Sequence, residues 1–199
     1  MIVLFLTNND ISKPLVDWLK NTGGQDVVVF SEKLTLTHLD KLNPGIIISY
    51  NYRHIITQDT IDFMNGKVIN LHISFLPWNK GADPNLWSFI EDRPKGVTIH
   101  IVDKGLDTGN ILLQKEVVFD EQSETLESSY HQLHKQIQQL FIYNWDQIKN
   151  FQIISRLQSK QGSFHYLKDS AKIKEALGNH IYDIPIYKLK QKLTHIGLI

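Results

Sequence analysis

The chain has 199 residues, enough for one domain that buries about 70% of its extended surface without a metal or disulfide staple. Lys plus Arg and Asp plus Glu both number 21, so the formal charge is zero and broad electrostatic binding to nucleic acid or a membrane surface is excluded. Cysteine is absent, which excludes disulfide scaffolds, thiolate zinc sites and thiol nucleophiles. The opening run Met1 to Leu6 lacks a basic region before it and meets Asn8-Asn9-Asp10 too soon for a signal peptide. With no apolar stretch of membrane-spanning length, a cytoplasmic protein is expected.

The first two-thirds alternates short β-branched runs with helical segments. Ile2 to Leu6, Val27 to Phe30, Ile46 to Tyr50 and Val68 to Leu71 have strand length, and their near-continuous apolar character predicts strands covered on both faces. A helix is predicted from Ser12, as N-cap, to Asn21 before Gly23-Gly24, and another from Leu34 to Leu42 before Asn43-Pro44-Gly45. This rhythm predicts a parallel sheet with helices on both faces. After a polar stretch from His72 to Ala82, Asp83-Pro84 opens a helix through Glu91. Val97 to Val102 and Ile111 to Phe119 read as strands. One long helix is predicted from Ser123 to Lys149, with Leu126, Tyr130, Leu133, Ile137 and Leu140 along one buried stripe. The tail from Phe151 is mixed, with a short helix at Ala171 to Leu177. One α/β domain is expected.

Three polar clusters follow predicted strands, at the sheet edge where open α/β folds bind ligands. They are Asn8-Asn9-Asp10, Asn70-Leu71-His72, and the loop from Asp103 to Asn110. Asn70 and His72 are two apart, so on extended backbone both point the same way. An amide beside an imidazole can polarise a carbonyl and manage a proton, although strand-end Asn and His residues also serve as plain loop anchors. His131 and His134 lie at i and i+3 on the long helix and are read as exposed helix residues, not a zinc pair.

The stretch Asn70-Leu71-His72-Ile73-Ser74-Phe75-Leu76-Pro77, followed by Gly81 and by Leu106-Asp107-Thr108-Gly109, resembles the signature of folate-dependent formyltransferases. That family shares an Asn-x-His pair and an aspartate about 35 residues downstream; here Asp107 follows His72 by 35. The run from His72 through Trp78-Asn79-Lys80-Gly81-Ala82-Asp83-Pro84-Asn85, with Pro94 to His100, is most similar to the nucleotide-sugar N-formyltransferase branch. The likeness runs from about Ile46 to Gln114.

The resemblance implies a Rossmann-like formyltransferase fold, with a mostly parallel central sheet and helices on both faces. It implies N10-formyltetrahydrofolate as formyl donor, a primary amine as acceptor and no metal. Asn70 would donate to the developing oxyanion, His72 would act as general base or protonated donor, and Asp107 would hold the imidazole or a water. The pterin would lie against Tyr52, Arg53, His54, Ile55 and Ile56 and against Val102, Asp103 and Leu106. The acceptor would be met by Asn8, Asn9, Trp78, Lys80 and Gly81, with Lys80 and Gly81 on a diphosphate.

The expected acceptor is a dTDP- or UDP-linked 4-amino-4,6-dideoxyhexose, the amino-altrose intermediate of a pseudaminic-acid-type pathway among them. A glycinamide-ribonucleotide-type enzyme fits less well, because Thr7-Asn8-Asn9-Asp10-Ile11-Ser12 contains no glycine for a phosphate loop. The neutral charge and short chain weigh against the tRNA branch. A peptide-synthetase-type formylating domain would have a similar size and wording, and a non-catalytic folate or nucleotide-sugar binding protein would keep the fold without turnover. Asp107-Thr108-Gly109 also spells an aspartic-protease triplet, but that chemistry needs an all-β fold and a second aspartate. Residues 1–150 are expected to form the catalytic core, and residues 151–199 a short extension packed on it, with most of the accessory region of the relatives missing.

Overall fold

The computed structural model describes residues 1–159, 161–178 and 180–199. Its first half runs β1 (Ile2–Leu6), a 3-10 turn (Asp10–Ser12), α1 (Lys13–Asn21), β2 (Asp26–Phe30), α2 (Leu36–Leu42), β3 (Ile46–Ser49), α3 (Gln58–Phe63), β4 (Val68–His72), β5 (Lys80–Gly81) and α4 (Pro84–Ile90). Then follow β6 (Gly96–Ile101), β7 (Ile111–Glu116), α5 (Leu126–Tyr143), α6 (Trp145–Lys149), β8 (Phe164–His165), α7 (Ala171–Leu177), α8 (His180–Asp183) and α9 (Ile186–His195). Six strands form one sheet in the order β2-β1-β3-β4-β6-β7, flanked by helices, as the alternation of runs predicts. Two units are resolved: Met1–His72 with Thr98–Leu113 and Ile137–Gln158, and Ile73–Val97 with Gln114–Gln136 and Ser159–Ile199. Among the described residues no helix is long and apolar enough to cross a membrane.

In the first unit β1 pairs in parallel with β2 and β3, and β3 with β4. Val3 to Leu6 and Ile46 to Ile48 are fully buried, which is why these strands show no in/out alternation. Leu4, Leu6, Leu39, Ile47, Met64 and Val68 form one apolar cluster. The parallel pattern stops at β4, because β6 returns antiparallel to it. Ser12 precedes α1 but does not cap it; its hydroxyl donates to the Asn9 carbonyl at 2.6 Å. Within this unit Gln138 donates to the Ile11 carbonyl at 2.7 Å and to the Tyr50 hydroxyl at 3.3 Å.

The second unit has its own core, in which Leu86 and Phe89 of α4 and Leu126 of α5 pack with Ile173, Ile181, Ile186, Leu189 and Leu193. From Ala171 the tail carries three helices among the described residues, and Ile186, Leu189 and Leu193 recur at one face of α9. The predicted long helix is two helices: Asn144 interrupts it, its side chain donating to the Leu140 carbonyl at 2.8 Å. Its start moves to Leu126 because Thr125 Oγ1 accepts from the Ser128 backbone N–H at 3.0 Å. The last strand of the sheet ends at Glu116, short of Phe119.

His134 corrects the expectation of two exposed histidines. His131 is exposed, but His134 is buried, edge-on to the Tyr130 ring at 4.2 Å. Burial first, and the charge of His131 second, lower its pKa from 6.5 to about 3.

Candidate active site

The antiparallel return of β6 builds the site. It sets His100 opposite Asn70 and Thr98 opposite His72. Opposed residues on neighbouring strands share a face, as do residues two apart, so Asn70, His72 and His100 converge on one side of the sheet. The loop after β6 adds Asp107. Within it the Asp103 carboxylate accepts from the Gly105 N–H at 3.0 Å and from the Thr108 hydroxyl at 2.6 Å, which closes a tight turn. Asp107 then takes a left-handed φ of 54°, and Gly109 passes so close beneath β6 that a Cβ there would lie 1.8 Å from the Ile101 carbonyl oxygen.

The result is a buried polar cluster. Asn70 Nδ2 donates to Asp107 Oδ1 at 3.2 Å and lies 3.3 Å from His100 Nε2. Asp107 Oδ1 is 3.4 Å from His100 Nε2, and Asp107 Oδ2 is 3.8 Å from His72 Nδ1. The side chains of His72, His100 and Asp107 are each at most 9% exposed, so water screens their charges little. His100 Nδ1 lies 2.8 Å from the Ile101 carbonyl, which only accepts, so Nδ1 carries a proton. Its Nε2 then has two uses. As a bare nitrogen it accepts from Asn70; as a second N–H it donates to Asp107. One carboxylate thus serves two imidazoles, an arrangement that can receive, hold and return a proton. Among the described residues no group of three or more His, Asp or Glu side chains is placed to hold a metal ion.

The three catalytic candidates read from the sequence are therefore brought together. His100 joins them from within the resembling stretch; its place depends on the strand register, which spacing alone does not disclose. Gln158 is a further addition that no motif marks: its Nε2 donates to the backbone carbonyls of Asp107 and Gly109, each at 2.8 Å.

Tyr52, Ile56 and Val102 meet on one apolar cluster. The Tyr52 hydroxyl donates to the Glu32 carbonyl and accepts from the Leu34 N–H at 3.1 Å; burial raises its pKa, and the Leu34 N–H offsets part of that rise. Ile55 and Leu106 stay well exposed, and the exposed Arg53 directs Nε to His54 Nε2 at 3.3 Å. Asn8 is held by its own contacts, donating to the Ser31 carbonyl at 2.8 Å and accepting from the Arg53 N–H at 3.0 Å. Asn9 accepts from the Ile11 N–H at 3.0 Å.

Trp78, Lys80 and Gly81 belong to the second unit. The Arg93 guanidinium lies 4.4 Å over the Trp78 ring. Lys80 and Gly81 form a short parallel ribbon with Phe164 and His165, and a Cβ on Gly81 would lie 2.4 Å from the His165 carbonyl. Asp83 precedes α4 with φ of 50° and makes no cap; its carboxylate binds Lys174 at 2.7 Å and Ser170 at 2.5 Å instead.

An open α/β sheet whose strand ends join an amide, imidazoles and a carboxylate has the parts of an enzyme site that handles protons on a bound ligand. The formyl transferase family model matches residues 12–144, and the chain belongs to that family. The formyltransferase PseJ from Anoxybacillus kamchatkensis, solved with UDP-4,6-dideoxy-4-formamido-L-AltNAc and tetrahydrofolate, is 44% identical, with a TM-score of 0.86 over 95% of this chain and 97% of that one. A likely sugar N-formyltransferase from Mycobacterium tuberculosis shares the fold at 23% identity, with a TM-score of 0.77 over 87% of this chain and 78% of that one. The methionyl-tRNA formyltransferase of Finegoldia magna is 39% identical over 83 residues, 41% of this chain but only 27% of that protein.

Proposed function

We propose that the chain transfers a formyl group from N10-formyltetrahydrofolate to the primary amine of a nucleotide-linked 4-amino-4,6-dideoxyhexose, with UDP-4-amino-4,6-dideoxy-L-AltNAc as the acceptor to test first. The observation that carries this is the match to PseJ along nearly the whole of both chains. The tRNA-specific relatives are matched over a minor part of their length. Residues 1–150 are taken as the catalytic core, working in the cytoplasm.

The residues present fit a folate. Tyr52, Ile56 and Val102 offer an apolar backing, and exposed Ile55 and Leu106 offer surface for a flat ring to cover. The buried Asn51 Nδ2, which has no partner among the described residues, is a donor for a ring edge, and Arg53, His54 and Asp103 supply further polar groups. When bound, the donor supplies a formyl carbon on a nitrogen able to leave. When His100 Nε2 donates to Asp107, the Asn70 N–H otherwise aimed at that ring donates to the oxygen that gains negative charge. With Nδ1 turned to Asp107, His72 presents Nε2 to the acceptor amine and takes its proton as the new C–N bond forms. Asp107 stabilises the imidazolium, which returns the proton to the departing nitrogen as the old C–N bond breaks. Trp78, Lys80 and Gly81 are assigned to the acceptor.

The test is to mix the purified protein with N10-formyltetrahydrofolate and that acceptor, following tetrahydrofolate release and the mass of the sugar nucleotide. Release that depends on acceptor, with one formyl gained, is expected. Release without acceptor, or transfer to methionyl-tRNA and not to the sugar, overturns the proposal.

A further inference from the structure

Gln158 follows Asp107 by 51 residues, yet its amide closes the Asp107 loop. Both N–H groups of Nε2 are committed, one to the Asp107 carbonyl and one to the Gly109 carbonyl. That fixes the orientation of the amide, since a flipped oxygen would face two carbonyl oxygens. Its Oε1 is buried with no partner among the described residues, a cost the fold bears for the sake of the two bonds. The segment before Gln158 runs alongside the same loop: Ile111 and Arg156 exchange backbone bonds at 2.8 and 2.9 Å, and Asn110 Nδ2 donates to Ser155 Oγ at 3.3 Å. The loop needs such an anchor. Asp107 is held at a left-handed φ of 54°, which few residues other than glycine adopt.

We propose that Gln158 is a positioning residue for the Asp107 carboxylate, acting through the loop backbone and making no contact with the reacting atoms. The proposal rests on the role given to Asp107 above. It also gives residues beyond the catalytic core a part in the reaction, since the segment carrying Gln158 follows the matched family region.

The variants are Gln158→Met, which keeps length and removes both donors, and Gln158→Glu, which sets a carboxylate against two carbonyl oxygens. Thermal melting checks that each folds. With N10-formyltetrahydrofolate and UDP-4-amino-4,6-dideoxy-L-AltNAc, kcat is expected to fall about 30-fold in Q158M and further in Q158E, with KM for both substrates little changed. In an Asp107→Asn background the Q158M change should add less than about twofold, because its effect passes through the carboxylate. A Q158M enzyme with wild-type kcat, or an equal further loss in both backgrounds, overturns the proposal. A wild-type rate in D107N alone would instead refute the role of Asp107. Hydrogen exchange decides the matter without turnover: amides of residues 107–110 should exchange faster in Q158M or, if that variant does not fold, in Gln158→Asn. Unchanged exchange there overturns the proposal.

Discussion

Asp107→Asn isolates the electrostatic part of the reaction. Asparagine tolerates the left-handed φ of 54° as well as aspartate does, and its Oδ1 still accepts from Asn70, so the loop keeps its shape while the charge and the acceptor facing His72 are lost. His72 Nδ1 and Asp107 Oδ2 are 3.8 Å apart, with both side chains at most 9% exposed. At an effective dielectric of about 20, a full charge pair at that distance is worth about 4 kcal/mol, or about a thousandfold in rate at 1.4 kcal/mol per decade. That attraction exists only while His72 holds the amine proton, so it acts on kcat and not on binding. D107N should therefore lose about a thousandfold in kcat while both KM values stay close to wild type. The assay is acceptor-dependent tetrahydrofolate release, with melting temperature as the check on folding. A folded D107N enzyme within about tenfold of wild-type kcat would refute the reasoning, because a near and unscreened charge could not then contribute so little.

Three other outcomes follow from the geometry. Between its folded pKa of about 3 and its ordinary 6.5, His134 is protonated only in the unfolded chain, so stability is complete above that window and falls as pH drops through it. Between pH 7 and 5 this costs about 2 kcal/mol, and in urea unfolding His134→Leu should flatten that slope; an unaltered slope counts against the burial. Gly109→Ala puts a Cβ where only 1.8 Å separates it from the Ile101 carbonyl, so a loss of roughly 2–4 kcal/mol in thermal or urea unfolding is expected, with turnover reduced; a wild-type melt means the loop does not pass so close. Tyr52→Phe removes the hydroxyl that joins Glu32 and Leu34 and should cost about 1 kcal/mol in unfolding free energy while tetrahydrofolate affinity, read by calorimetry, is unchanged; weaker binding would show that the hydroxyl, not the ring, meets the ligand.

The parallel half of the sheet was legible because its signal is local. Runs such as Ile46-Ile47-Ile48 are buried on both faces, and stops such as Asn43, left-handed at 43°, stand where the pattern places them. Other elements were hidden for definable reasons. α3 is six residues long, too short to establish a helical period, and its N-cap Thr57 sits in a run of polar residues. α9 carries a regular stripe of Ile186, Leu189 and Leu193, but the lysines and the histidine among its ten residues blur it. Asn144 breaks the long helix without proline or glycine, through a side-chain bond to Leu140 that leaves no mark in composition.

The site divides along the same line. Asn70 and His72 could be paired because two residues on one strand share a face, a relation fixed by spacing alone. Asp107 entered only through a resemblance, since no periodicity links it to them. His100 and Gln158 depend on facts of a different order. His100 faces Asn70 because β6 turns back antiparallel, and a register one residue away would send its ring to the other face. Gln158 reaches Asp107 because the Ile111–Arg156 bridge brings its segment alongside the loop. A lone glutamine in an irregular stretch carries no signal of that. In this fold the atoms proposed to move the proton lie on one short strand and one loop, whereas the groups that fix their geometry come from the return strand and from residues well beyond the family match. Substitutions at such supporting positions should therefore alter rate more than binding, even where they touch no substrate.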